Sequence, residues 1–341
     1  MYDANSPPTR RSFLAGAGGA ATLGLAGCLG GGGDGLDELT VAHMPIYPDL
    51  QWYVMEGEGY FSSIDAEIDG REFTDGPAIV QAFSGGNIDV AMFGIVPAMI
   101  VIDNDIPAQV TAANIREPMG IMAEQSFHDT FEQHGGDAFD VWAEENGRPF
   151  RFGTFPQGSV PDVLLRYWLR ETGVDPEAND SVEIREINGA NAVWQAINGG
   201  DIDGTSIMEP VPTIAQAEGS SVTMLRTAAE ILPGQPAAVT LMSDEVRDSP
   251  LAAQFLEQHV RATEFIGANP DATAQHVESG IGMPADRARK ALDSPLSNFV
   301  TDPASISEAT PVFSEFAASN GQIDEQLTND QIFDRSVYDS L

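Results

Sequence analysis

Two nine-residue stretches constrain this chain more than any other feature. Gln81-Ala82-Phe83-Ser84-Gly85-Gly86-Asn87-Ile88-Asp89 returns 114 positions later as Gln195-Ala196-Ile197-Asn198-Gly199-Gly200-Asp201-Ile202-Asp203, with six identities in nine. At the same offset Thr74-Asp75-Gly76 meets Asn188-Gly189-Ala190. Each copy reads as a polar helix start, a short amphipathic helix, a Gly-Gly stop and entry into a strand. Thr74 or Asp75, and Asn188, are suited to cap the helix starts. Gly85 and Gly199 are suited to the left-handed conformation at the helix ends. A chain with one such unit in each half is expected to fold as two halves of similar design.

Short β-type runs alternate with helical patterns along the rest of the chain. The strand candidates are residues 39–44, 65–73, 89–94, 108–114, 119–124, 150–155, 182–187, 204–209, 222–227 and 237–243. Helical patterns lie between most of them, for example Val160–Thr172 and Pro250–Gly267. This alternation predicts an α/β fold with largely parallel sheets.

The first 35 residues are of another kind. Arg10-Arg11 precede a small-residue, uncharged stretch from Ala15 to Gly27. That stretch is too short and glycine-rich to span a bilayer, which takes roughly 20 apolar residues. It fits the apolar region of an export signal. Leu25-Ala26-Gly27-Cys28 resembles a lipobox, and Cys28 is the one cysteine of the chain. A lone thiol makes no internal disulfide and no cysteine zinc cluster. The expectation is a twin-arginine signal over 1–27, then a lipidated Cys28 and glycine-rich tether over 28–36. The chain is thereby expected to be anchored to the outer face of the cell membrane.

Charge sets the solvent. The chain has 16 basic and 52 acidic residues, for a net charge of −36, and Lys290 is its one lysine. Removing a leader with Arg10, Arg11 and Asp3 (net +1) leaves −37. Nucleic acid is excluded as a partner, because phosphate contacts need basic residues. With 42% hydrophobic residues the chain is still globular. This is the balance expected of a halophilic protein, of haloarchaeal type, whose self-repulsion is screened by concentrated salt.

Four motifs in order carry a family resemblance. They are the strand, loop and helix of Leu39–Phe61, the Gly-x-Ile-Asp segment of Ile79–Met99, the strand, glycine loop and helix of Phe150–Pro176, and the second Gly-x-Ile-Asp segment with its Glu-Pro over Ile197–Ala215. Together they resemble the solute-binding proteins of ABC importers in the nitrate, taurine and alkanesulfonate group, a superfamily that includes thiamine-pyrimidine-precursor binding proteins. The resemblance implies a two-lobed, type II periplasmic-binding-protein-like clamp with a mixed, largely parallel sheet in each lobe. Lobe 1 would take 37–116 and 246–341, and lobe 2 would take 117–245. Two crossings, near Ile115–Met119 and near Ser243–Pro250, would hinge them. Ligand would sit between the lobes at strand ends, and closure would present the clamp to a permease and its ATPase. The expected partners are therefore a small molecule and that permease, with the chain a monomer and no cofactor needed.

The resemblance directs attention to particular residues. His43, Tyr47, Gln51 and Trp52 follow the first strand and suit a ligand with an apolar body and polar ends. Gln157, Gly158 and Ser159 precede a helix whose free N–H groups would attract an anion. Arg116, beside Asn114 at the first crossing, would grip a sulfonate or carboxylate, unless it pairs with Glu117. Glu209 would accept from a ligand amine or join the lobes. Thr74, Gly94 and Asn188 complete the candidate set. A sulfonate, taurine or nitrate-type anion leads as the ligand, with a pyrimidine precursor or another heteroaromatic second.

An enzyme on this fold is the competing class. The thiamine-pyrimidine synthases that resemble this family carry a cysteine-rich segment, which this chain lacks. No Gly-x-Ser-x-Gly or His-Glu-x-x-His motif is present, and His43, His128, His134, His259 and His276 are scattered. The expectation is no catalytic residue and no metal site. A sensor that hands its ligand to a receptor would use the same clamp.

Overall fold

The structure is a computed structural model that describes residues 36–341; the signal, Cys28 and most of the tether lie outside the described residues. All ten expected strands form, within two residues of their expected ends: β1 (Glu38–His43), β2 (Glu67–Glu72), β3 (Val90–Gly94), β4 (Ala108–Ala113), β5 (Met119–Glu124), β6 (Phe150–Thr154), β7 (Val182–Glu186), β8 (Gly204–Met208), β9 (Val222–Thr227) and β10 (Ala238–Ser243). They make two five-stranded sheets of the same layout, β2-β1-β3-β10-β4 and β7-β6-β8-β5-β9. The first three strands of each sheet run parallel. The fourth is antiparallel to both neighbours, and in each sheet it is the strand that follows a crossing.

That arrangement corrects one boundary. The second crossing was expected near Ser243–Pro250, with 117–245 as one lobe. β10 instead belongs to the first sheet, between β3 and β4, so the chain crosses back before it, over 232–237. β10 is buried along Ala238–Met242, and an apolar run of this kind fills the interior of either sheet equally well. Composition alone does not say which.

Three segments lie side by side at the crossings. The Asn114 N–H donates to Ala238 O at 2.9 Å, and the Glu117 N–H to Gln235 O at 2.9 Å. On the other side the Arg116 N–H donates to Asn298 O at 3.1 Å, and the Val300 N–H to Asn114 O at 3.1 Å. The C-terminal chain thus adds a third hinge strand to the expected two. Glu117 sits there with φ of +55°, and its carboxylate accepts from the Gly234 N–H and from Asn298 Nδ2. One side chain ties all three segments.

The repeat is real in space. Helices Gly76–Ser84 and Ala190–Asn198 occupy equivalent places. Asp75 caps the first, accepting from the Ala78 N–H at 2.9 Å. Asn188 does not cap the second, where Gly189 takes the cap position with φ of +89°. The left-handed residues at the helix ends are Gly86 and Gly200, one position later than expected; Gly85 and Gly199 close the last turn as right-handed residues.

Three apolar clusters hold the halves. One packs Leu39, Val41, Trp52 and Phe255 against the first sheet. Another is aromatic, with Phe127, Phe139, Phe150, Phe152 and Trp168 on the second. The largest runs through both, joining Phe93, Ile95 and Val96 to Val160, Met208 and Val211. Among the described residues, no helix is long and apolar enough to cross a membrane.

Candidate functional site

The segments after β1 and β8 each bury a polar group, one from either half. After β1 the chain makes a one-turn helix at Tyr47–Asp49, which buries Tyr47. The Tyr47 hydroxyl lies 2.8 Å from Ser297 Oγ. Ser297 gives its proton to Ala291 O at 2.6 Å, so Tyr47 donates to Ser297. After β8, Glu209 is 1% exposed. Its Oε2 accepts from the Thr213 N–H at 3.2 Å, and the Ser294 side chain lies near enough to favour its charged form.

The charge of Glu209 reaches Tyr47. Burial pushes the Tyr47 hydroxyl up, the Ser297 bond opposes this, and the Glu209 charge adds to the rise. Burial likewise raises Glu209, against the bonds from Ser294 and Thr213. A desolvated carboxylate favours a partner that donates hydrogen bonds or carries positive charge.

Other candidates are spent inside the first half. His43 stacks on Trp52 at 4.3 Å and 16°, and meets Tyr53 edge-on. Burial lowers His43 to about 4, so it is neutral. The Trp52 ring covers Gly70, where a Cβ would come within 2.4 Å of it. His43 and Trp52 are therefore core packing, a correction to their expected ligand role. Asn114 is fully buried, with Nδ2 on Asp49 and Oδ1 accepting from Thr240 Oγ1 and His259 Nε2. Gln51 Nε2 donates to Asn114 O at 2.7 Å. Both amides brace the crossing from within, and Gln51 Oε1 is left without a partner.

The glycine loop also departs from expectation. Its N–H groups are already bonded within the chain: Gln157 to Glu186 Oε1 at 3.2 Å, Gly158 to Asp162 Oδ2 at 2.9 Å, and Ser159 to Pro156 O at 3.0 Å. Ser159 Oγ caps the helix by accepting from the Asp162 N–H. The helix start that was expected to attract an anion thus holds carboxylates from its own chain.

The remaining candidates lie at the rims. Thr74 and Asn188 are exposed, and Thr74 bonds its neighbour Asp75. Gly94 faces the other half, where a Cβ would meet Val160 Cγ2 at 3.4 Å. Arg116 is 37% exposed, with Nε 3.9 Å from Glu117 Oε2. Among the described residues no cluster of three metal-ligating side chains occurs.

Ser294, Ser297, Gln235 and Asp162 were not expected at the site from the sequence. Ser294 and Ser297 lie in a loop without a motif. Gln235 is completely buried beside the crossing, with Oε1 unpartnered. Asp162 had a signal, since Ser159-x-x-Asp162 has the spacing of a reciprocal helix cap.

Two matching α/β halves joined by short crossings, with polar groups meeting between them, define a periplasmic-binding-protein clamp. The comparisons agree. The chain belongs to the NMT1-like family, which it matches over residues 32–280. No curated protein matches it. Among solved structures it resembles the periplasmic aliphatic sulphonate binding protein SsuA of Escherichia coli, at 15% identity and TM-score 0.71, covering 89% of this chain and 94% of that one. It resembles the periplasmic nitrate-binding protein NrtA of Synechocystis PCC 6803, at 13% identity and TM-score 0.70, covering 89% and 88%. It also resembles the zinc-bound ligand binding component of an ABC-type import system from Staphylococcus aureus, at 15% identity and TM-score 0.68, covering 89% and 98%.

Proposed function

We propose that this chain is the substrate-binding component of an ABC importer. It captures a small organic molecule between its halves and delivers it to a permease powered by an ATPase. One observation carries this reading: two α/β halves are joined by a three-stranded hinge, and Tyr47 of one and Glu209 of the other are both buried with the charge of Glu209 acting on Tyr47. A group that is buried only while the halves meet couples closure to what occupies the cleft.

The sequence favoured a sulfonate, taurine or nitrate-type anion, with a pyrimidine precursor second. Glu209 supports the second reading, because a buried carboxylate accepts from an amine and repels an anion. The resemblance to sulfonate- and nitrate-binding structures supports the clamp, not the ligand. Export by the twin-arginine route, anchoring through Cys28, monomeric action and a high-salt setting complete the proposal. They rest on the leader and on the charge of −36. Enzymatic action is disfavoured by the missing cysteine-rich segment.

The test is small-angle scattering and calorimetry in concentrated KCl with a panel of sulfonates, carboxylates, nitrate and aminopyrimidines. A ligand that binds and compacts the chain supports the clamp. Binding without compaction argues against it. For anchoring, membrane fractionation of wild type and Cys28→Ser decides: equal retention defeats the lipid anchor.

A further inference from the structure

A helix start between two closing lobes is the usual place for an anion to land, because its first N–H groups are unpaired and the helix dipole points positive end outward. In this chain that position, at the start of Val160–Glu171, is filled. Asp162 is 1% exposed, and its Oδ2 takes the Gly158 N–H at 2.9 Å. Its Oδ1 takes Arg166 Nε at 2.8 Å. Glu186, exposed at the end of β7, takes the Gln157 N–H at 3.2 Å. The third N–H, of Ser159, goes to a backbone carbonyl.

The arrangement leaves no spare positive charge. Arg166 is nearly buried and is shared between Asp162 and Glu177. Glu186 has no cationic partner among the ion pairs of the described residues. Asp162 and Glu186 are close enough for the Glu186 charge to raise Asp162, after burial and against the Arg166 pair. Gly158 is also covered from the other half. It has φ of +83°, and a Cβ there would fall 1.2 Å from Gln322 Nε2. An incoming anion would have to displace two carboxylates and an amide, and would meet like charge while doing so.

We propose that Asp162 and Glu186 are specificity-determining residues that close the glycine loop to anions, so that the ligand of this clamp is an uncharged or cationic molecule. The inference rests on the clamp reading above. Glu209 has the same preference, and Arg116, the cation at the crossing, stands 3.9 Å from Glu117 with its Nε otherwise unpartnered.

The experiment is calorimetry with ethanesulfonate and with 4-aminopyrimidine at fixed, high KCl. It compares wild type, Glu186→Gln and the double variant Asp162→Asn/Glu186→Gln, with folding checked by circular dichroism. The double variant is expected to bind ethanesulfonate at least tenfold more tightly than wild type, and Glu186→Gln several-fold more tightly. Ethanesulfonate binding to wild type that the variants leave unchanged or weaken overturns the proposal. So does a folded Glu186→Gln that gains nothing; that exposed position keeps the test available if the double variant does not fold. The clamp reading has its own readout, compaction on ligand binding. Compaction with ethanesulfonate would sink the charge exclusion and leave the clamp standing.

Discussion

Asp89 and Asp203 make the same bond in opposite halves. Asp89 Oδ2 accepts from the Thr40 N–H at 2.8 Å, and Asp203 Oδ2 accepts from the Arg151 N–H at 2.9 Å. Their own N–H groups donate back to Thr40 O at 2.9 Å and to Arg151 O at 2.7 Å. The Ile-Asp ending of the repeat is thus a clip that holds the strand after the helix to its parallel neighbour, β1 in one half and β6 in the other. The two clips differ in one respect. Asp203 also binds the guanidinium groups of Arg148 and Arg151, whereas Asp89 has no such partner among the described ion pairs.

The difference sets unequal costs. Burial alone would raise Asp203, but the bonds from Arg148 and Arg151 outweigh it and hold the carboxyl below its ordinary range. Asp89→Asn is expected to cost about 1–2 kcal/mol, as for one hydrogen bond to a charged group. Asp203→Asn is expected to cost about 2–3 kcal/mol, held down by the 36% exposure of Arg148 and its screening. Because the folded value is depressed, this stability is present above the ordinary carboxylate range and is lost as pH falls through the lowered value. Urea midpoints of both variants in concentrated KCl, at neutral pH and near pH 3, check the order. Equal costs at neutral pH would count against the arginine contribution.

The ten strands were legible because each is a short apolar or alternating run bounded by glycine, proline or a polar cluster. The repeat was legible because the same unit was built twice. The side-chain layer was less so. His43 and Trp52 sit four residues before and five after Tyr47, yet they stack on each other while Tyr47 turns to Ser297, since the turn at Tyr47–Asp49 redirects the chain. Aromatic residues in a loop look alike until that turn is known. Ser294 and Ser297 come from a segment some 250 residues from Tyr47, and no local pattern announces a contact that distant.

The first half has a buried polar network with a pH signature. His259 is completely buried, and burial lowers it to about 3; its Nε2 bonds Asn114 Oδ1 at 3.0 Å. With an unfolded value near 6.5, the unfolded chain takes up the proton first. Stability is therefore unaffected above about pH 6.5 and falls as pH drops from there toward 3. His43, lowered to about 4, acts in the same direction. Asp49 acts oppositely: burial raises it to about 7, so it loses stability as pH rises from about 4 to 7. Two histidines against one aspartate leave a net loss toward acid. His259→Gln keeps a donor to Asn114, and its urea midpoint is expected to change less between pH 6.5 and 4 than that of wild type. An equal slope would remove His259 from this account.

Salt dependence follows from the charge. The screening length is about 10 Å at 0.1 M and about 3 Å at 1 M. With 52 acidic residues against 16 basic ones, most carboxylates have no cation to pair with. Removing salt should unfold the chain or expand it. Circular dichroism across a KCl series is the check, and full structure at low ionic strength would contradict a halophilic protein.

The closed arrangement makes a last prediction at Gly158. Its φ of +83° is a conformation a β-carbon disfavours, and the Gln322 side chain, from the segment after helix Thr310–Ser319, occupies the space where that carbon would stand. Gln322 Nε2 also donates to Gln157 O at 3.4 Å. Nearby, the Arg170 guanidinium lies 4.3 Å from the centre of the Phe316 ring, a second link between the same two elements. Gly158→Ala should therefore do two separable things. It strains the backbone by about 1–2 kcal/mol, and it pushes Gln322 away, weakening contact between the halves. Gln322→Ala removes the second effect and leaves the first. Melting of the two single variants and the double variant in concentrated KCl forms a cycle. The double variant is expected to be more stable than the sum of the singles implies, by about 0.5 kcal/mol or more. Scattering should show Gly158→Ala expanded relative to wild type, and the added Gln322→Ala should not expand it further. Strict additivity would mean that the halves do not press together at this point, and that Gly158 is required by its backbone alone.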